Sequence, residues 1–217
     1  MTDPERRRIS ESAVRRLSIY LRFLRELRRQ GKSLISSREM AEGCGTTPAQ
    51  VRKDLSLFGS FGKRGQGYGV DELSLTLEDI LGLDRRWKVA LVGVGKIGAA
   101  LLGYHDLARR GFDIVAAFDT DARKVGRTVS GVEVRPAEDL GRIVAAEHVE
   151  LGIIATPPPT AQAVADELVE AGVHGILNFA PVEVDVPGGV SVRTMDVALE
   201  LEGLSFSLAG DRSGARG

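Results

Sequence analysis

The chain has 217 residues, 43% of them hydrophobic and 27% charged, enough for one large or two modest globular domains. Its net charge of −1 hides two halves of opposite sign: residues 1–70 hold 15 Lys and Arg against 7 Asp and Glu, and residues 71–217 hold 14 against 23. No apolar run approaches the roughly 20 residues of a membrane helix, no apolar signal core follows the first residues, and the lone Cys44 excludes an internal disulfide or a multi-cysteine metal site. The expected location is the cytoplasm, with no membrane partner and no metal, and Cys44 reads as a small buried residue. A basic module joined to an acidic one suits a nucleic-acid reader with a separate ligand domain. The plainer alternative is a solvated basic face.

In chain order, residues 10–30 read as a helix with an apolar stripe of Ala13, Leu17, Tyr20, Leu21, Leu24 and Leu27, stopped by Gly31. Ser36 and Ser37 offer an N-cap to a short helix over residues 38–42, which Gly43-Cys44-Gly45 is expected to break. Thr47 then caps and Pro48 opens a helix over residues 48–58, with Val51, Leu55 and Phe58 turned inward. Helix, glycine turn, helix is a DNA-binding arrangement. Arg52, Lys53 and Ser56 lie opposite the inward face with Gln50 flanking and Thr47 at the start, so these are the candidates for base edges and phosphates. The glycine-rich residues 59–70 read as a β-hairpin wing that lays Lys63 and Arg64 along or into a minor groove, with Tyr68 at its close.

Asp71 is expected to cap a helix over residues 72–81, and residues 82–87 form the boundary between domains. Residues 88–92 then read as a strand running into Gly93-Val94-Gly95-Lys96-Ile97-Gly98, where apolar residues recur at helical spacing through Ile97, Ala100, Leu101 and Tyr104. This is the dinucleotide fingerprint in its required strand, turn and helix context. Gly93 permits the turn, Gly95 lets the backbone approach a pyrophosphate, and Gly98 lets helix and strand lie close. The acidic partner required about 20 residues on is Asp119, at the end of a strand over residues 112–118, placed for an adenosine ribose. A carboxylate there repels a 2′-phosphate, so NAD(H) is expected to be preferred over NADP(H) by at least about tenfold.

Further strands are expected at residues 132–134, 150–155, 175–179 and 190–193, with helices at 137–146 and 161–171, giving a parallel sheet covered on both faces. Ligands on such sheets sit at the carboxyl ends of strands, which adds Thr156-Pro157 and Asn178-Phe179 to the cofactor candidates. A final apolar helix over residues 196–208 and an unstructured tail over 209–217 complete the chain.

These residues resemble the Rex family of bacterial redox-sensing repressors over nearly the whole chain. The resemblance rests on Val51-Arg52-Lys53-Asp54-Leu55-Ser56 with Phe58-Gly59, Gly65-Gln66-Gly67-Tyr68, the glycine fingerprint, and Gly175-Ile176-Leu177-Asn178-Phe179-Ala180-Pro181. It implies an α/β chain: a winged helix-turn-helix domain over residues 1–84, a Rossmann-like NAD-binding domain over 85–193 and a C-terminal helix over 194–208 exchanged in a homodimer. It also implies binding of a double-stranded operator with an inverted repeat, relieved when NADH replaces NAD⁺. By resemblance, Arg22, Asp196 and Tyr104 match positions that join the DNA-binding domain, the partner's last helix and the nicotinamide site. Val197 departs from the pattern, because the family tends to carry an aromatic residue after the aspartate matching Asp196.

Two other functions compete. A nicotinamide dehydrogenase needs a proton donor and room for substrate. His148 and His174 precede strands at the wrong edge, His105 has no evident carboxylate orienter, and no segment remains for a substrate domain. The other competitor is a nucleotide- or coenzyme-A-binding module with a basic appendage; Asp119 favours a free ribose 2′-hydroxyl, which coenzyme A need not present. The repressor is the preferred reading.

Overall fold

The computed structural model describes residues 9–59, 61 and 67–214. The chain forms two compact units, Met1–Arg85 and Arg86–Gly217.

The first unit is built on helix α1 (Glu11–Arg29), which Ser10 caps and whose buried residues are the six of the apolar stripe. Strand β1 (Leu34–Ile35), α2 (Ser37–Cys44), α3 (Pro48–Ser56), β2 (Tyr68–Gly69) and α4 (Val70–Ile80) pack on that stripe. Each buried Leu or Met there contributes roughly 1.5–3 kcal/mol of transfer free energy. Ser36 starts α2 with a capping box to Glu39, and the helix runs through Gly43 to end at left-handed Gly45, so the expected break at Gly43 is absent. Gly43 serves close packing there instead, since a Cβ on it would run into the Phe23 ring. Asp71 is not the cap of α4. The cap is Gly69, and Asp71 sits in the first turn, ion-paired with Arg28 at 2.9 Å.

The expected hairpin over residues 59–70 falls largely on residues 60 and 62–66, outside the described residues. In the described part of that stretch, β2 pairs antiparallel with β1, Ile35 opposite Tyr68. Gly67, at φ 83°, lies against the Ile35 carbonyl with no room for a Cβ.

In the second unit β3 (Trp87–Val92), α5 (Lys96–Leu102), α6 (Asp106–Arg109), β4 (Phe112–Asp119), β5 (Thr128–Val129) and β6 (Val132–Pro136) form one half. The other half is α7 (Leu140–Glu147), β7 (Leu151–Ile154), α8 (Pro158–Glu170), β8 (Gly175–Asn178) and β9 (Ser191–Thr194). The sheet order is β5-β6-β4-β3-β7-β8-β9, parallel throughout except for the edge strand β5, which turns back antiparallel on β6. Alternation along β3 feeds two cores: Ala90 and Val92 face α7 and α8, while Val89 and Leu91 face α5. The chain leaves β3 toward β4 and returns beside it as β7, so the sheet's switch point opens at the carboxyl ends of these strands.

Two expectations change here. The inner face of α5 is Gly98 and Leu102, with Ile97 and Tyr104 half exposed, because the helix approaches the sheet through its glycine. The last helix, α9 (Val197–Gly214), continues past residue 208 to Gly214.

Candidate functional site

At the switch point β3 runs into Gly93 at φ 97°, where a Cβ would lie 2.6 Å from the Ala155 carbonyl oxygen. A Cβ on Gly98 would collide with the Gly93 carbonyl, whereas one on Gly95 meets nothing within 4 Å. Gly93 and Gly98 therefore fit the turn against its neighbours, and Gly95 faces open space at the start of α5. The first amides of a helix lack intrahelical acceptors and suit an anion.

Asp119 ends β4 at 8% exposure. Its Oδ2 accepts the Val94 amide at 2.8 Å and Lys124 Nζ at 2.7 Å, and its Oδ1 accepts the Asp121 amide at 2.8 Å. Burial pushes the carboxyl up, but Lys124 and the two amides outweigh it and hold the group below the ordinary value of 3.8. Beside it, Arg123 holds Asp121 down to about 2.

These groups open on a cleft of about 750 Å³, closed on the far side by Thr156, Pro157 and the α8 residues Thr160 and Val164. The Thr156 hydroxyl is buried without a hydrogen-bond partner among the described residues. An orphaned buried hydroxyl costs about 1–3 kcal/mol, which a ligand acceptor or donor can recover. A glycine cradle for phosphate, a carboxylate for a diol and this hydroxyl make a donor set that fits a dinucleotide.

Of the cofactor candidates, Gly93, Gly95, Lys96, Ile97, Asp119, Thr156 and Pro157 line the cleft. Val94 is buried and contributes its amide to Asp119; Gly98 packs behind the turn. Tyr104, Asn178 and Phe179 do not line it. Asn178 is fully buried, and its side chain is occupied by the Ala180 amide at 2.9 Å and the Val182 carbonyl at 2.7 Å. It organises the loop after β8, and its own carbonyl accepts the Met195 amide at 2.8 Å, one residue before Asp196. Asp196 caps α9, its Oδ1 accepting the Ala198 amide at 2.8 Å. None of His105, His148 and His174 lines the cleft.

On the basic unit Thr47 caps α3, accepting the Gln50 amide. Arg52 is exposed and donates to Ser37 Oγ at 3.1 Å; Lys53 is exposed; Ser56 Oγ turns back to the Lys53 carbonyl. Gln50, which flanks that face, donates from Nε2 to Asp54 Oδ1 at 2.8 Å, and Tyr68 is 9% exposed in the core. Lys63 and Arg64 lie outside the described residues. Arg22 is exposed on α1.

The residue-by-residue reading missed Asp54. At 1% exposure it receives Arg16 through two bonds of 2.7 Å and the Tyr20 hydroxyl at 2.9 Å, tying α3 to α1. Its position between inward Val51 and Leu55 is the signal that could have marked it as buried. Arg38, which faces a recess of about 580 Å³ with Ser37, Pro48 and Arg52, is a further cation at the start of α2.

Among family models, one described as CoA binding domain matches residues 84–182 and one described as putative DNA-binding protein N-terminus matches residues 8–56. The redox-sensing transcriptional repressor Rex of Desulfitobacterium hafniense is 48% identical over 206 residues, covering 95% of this chain and 98% of that one. The repressor Rex of Desulforamulus reducens is 46% identical over 202 residues, covering 93% and 96%. The chain belongs to the Rex family. Solved Rex structures agree in fold: RSP in complex with β-NAD⁺ and operator DNA superposes with a TM-score of 0.90 at 36% identity, covering 96% of each chain. RSP in complex with β-NADH gives 0.86 at 34% identity, covering 96% of this chain and 98% of that one. The architecture of this Rex chain is thus an N-terminal winged helix-turn-helix unit followed by a Rossmann-like α/β unit.

Proposed function

We propose that this chain is a DNA-binding repressor that reads the NADH to NAD⁺ balance, holding an inverted-repeat operator as a cytoplasmic homodimer and releasing it when NADH binds. The observation that carries the reading is the cleft of about 750 Å³ at the switch point, where the glycine turn, Asp119 and the unpaired Thr156 hydroxyl converge. Gly93, Gly95 and the start of α5 would take the pyrophosphate, and Asp119 the adenosine ribose. The bound dinucleotide supplies the signal, since oxidised nicotinamide carries a positive charge that the reduced ring lacks. Thr47, Arg52, Lys53 and Ser56 would meet DNA, with Lys63 and Arg64 on the adjoining segment. RSP, which bound both cofactor forms and operator DNA, supports this reading.

The units would divide at residues 84 and 85, with the last helix exchanged between subunits. Six large apolar residues of α9, from Val197 to Leu208, are at least 60% exposed, which supports a partner for that helix. Arg22, Tyr104 and Asp196 would form the switch. We infer a regulatory rather than a catalytic role, a reading supported by the relatives, which are named as transcriptional repressors.

The test is to select duplexes from a random pool with the full-length protein and titrate the selected DNA with NADH at fixed NAD⁺. An inverted repeat released as the NADH fraction rises is the expected result. DNA retained regardless of NADH, or released equally by coenzyme A, would overturn it.

A further inference from the structure

We propose that Lys124 sets how strongly the cleft rejects a 2′-phosphorylated adenosine, by cancelling the charge of Asp119. The proposal rests on the dinucleotide reading of the cleft and changes what that reading predicts about cofactor choice.

A lone carboxylate at this position would reject a 2′-phosphate by repulsion. This carboxylate is not alone. Lys124 Nζ sits 2.7 Å from its Oδ2, and the Lys124 side chain is 37% exposed while that of Asp119 is 8% exposed. The next two charges are also matched, because Arg123 pairs with Asp121 at 2.8 Å. A 2′-phosphate reaching this corner meets two ion pairs whose formal charges sum to zero. Repulsion is therefore weak, and the preference for a free 2′-hydroxyl comes from hydrogen bonding.

The lone-pair count says how much hydrogen bonding remains. An ionised carboxylate offers about four acceptor sites. Val94, Lys124 and Asp121 occupy three of those on Asp119, which leaves about one for the ribose. Removing Lys124 changes both factors in one direction. A site on Oδ2 is freed for the diol, and the buried negative charge is left uncompensated against a phosphate. Selectivity for NADH over NADPH should rise when this lysine is lost, although a lysine near a 2′-position would ordinarily be assigned to phosphate binding alone.

The experiment is direct titration of the full chain with NADH and with NADPH, for the parent, Lys124→Ala, Lys124→Met and Lys124→Arg, with thermal unfolding to confirm that each folds. The ratio of the NADPH to the NADH dissociation constant is expected to rise about tenfold in the Ala and Met variants, within the range for one added charge–charge contact at a solvent-facing site. Lys124→Arg should keep the parent ratio. A ratio that is unchanged or falls in both neutral variants, with NADH still bound, overturns the role of Lys124 and leaves the dinucleotide site standing. A folded parent that binds neither dinucleotide overturns the site, and this proposal with it.

Discussion

Asp54 is a carboxylate in a hydrophobic core, and it stays ionised because Arg16, Tyr20 and Gln50 all donate to it. Burial pushes its carboxyl up; the three donors outweigh burial and hold it below 3.8, while Tyr20, buried beside it, is pushed up to about 12. Since the folded value lies below the unfolded one, the stabilisation is fully present above about pH 4 and is lost as pH falls through the folded value. Urea unfolding from pH 7 to pH 3 should show this loss in the parent and a flatter profile in Asp54→Asn. Asp54→Ala should cost about 3 kcal/mol, since it strands the Tyr20 hydroxyl and the partly buried Arg16. The helical wheel puts Asp54 on the inner arc of its helix, but Tyr20 and Arg16 lie 34 and 38 residues away, and nothing in a local pattern connects them to it. The two glycines give a paired contrast at the same scale. Gly98→Ala drives a methyl into backbone that cannot yield, so it should abolish NADH binding measured by titration. Gly43→Ala meets only the Phe23 ring, which can swing aside, and the gain of about 1 kcal/mol in helix propensity should keep its melting temperature near the parent's.

Most elements were legible, because capping residues and apolar spacing act over a few residues and leave a local mark. Ser36, Thr47 and the stripe of α1 do what such residues do anywhere. The misreadings share a cause: glycine carries no hydrophobic signal, yet it marks the closest packing. Counting apolar residues turns α5 toward Ile97 and Tyr104, while the helix approaches the sheet through Gly98 and leaves Ile97 at the cleft. The pairing of β2 with β1 and the antiparallel β5 were likewise hidden, since strands of two residues show no alternation. Asp119, Thr156, Pro157, Asn178 and Phe179 follow from strand ends alone, but whether a side chain there faces a ligand or closes a loop, as Asn178 does, depends on neighbours the sequence does not reveal. Helix α9 yields a prediction of its own. A chain ending at Met195 should keep the sheet unit folded by circular dichroism but run as a monomer in light scattering, where the full chain is expected to run as the proposed dimer.

Across the whole molecule the two units have separate hydrophobic cores. Arg22 and Asp196 are the proposed pair, and the helix cap complicates the obvious test. Asp196→Ala would remove the cap of α9 as well as the charge, at about 1 kcal/mol, whereas Asp196→Asn keeps a cap and removes only the charge. Arg22→Ala and Asp196→Asn should bind NADH as the parent does, yet need a different NADH concentration to leave the selected DNA in a mobility-shift titration. Unchanged release in both would move the coupling elsewhere. The exposed α9 has a consequence for how much of this protein a cell must make. A subunit that meets no partner carries Leu199, Leu201, Leu204, Phe206 and Leu208 into solvent, the kind of surface that chaperones and proteases take up. Its lifetime should therefore depend on its own abundance. Lowering synthesis below the level that sustains pairing should shorten the half-life, so that the amount of repressor falls faster than the rate at which it is made.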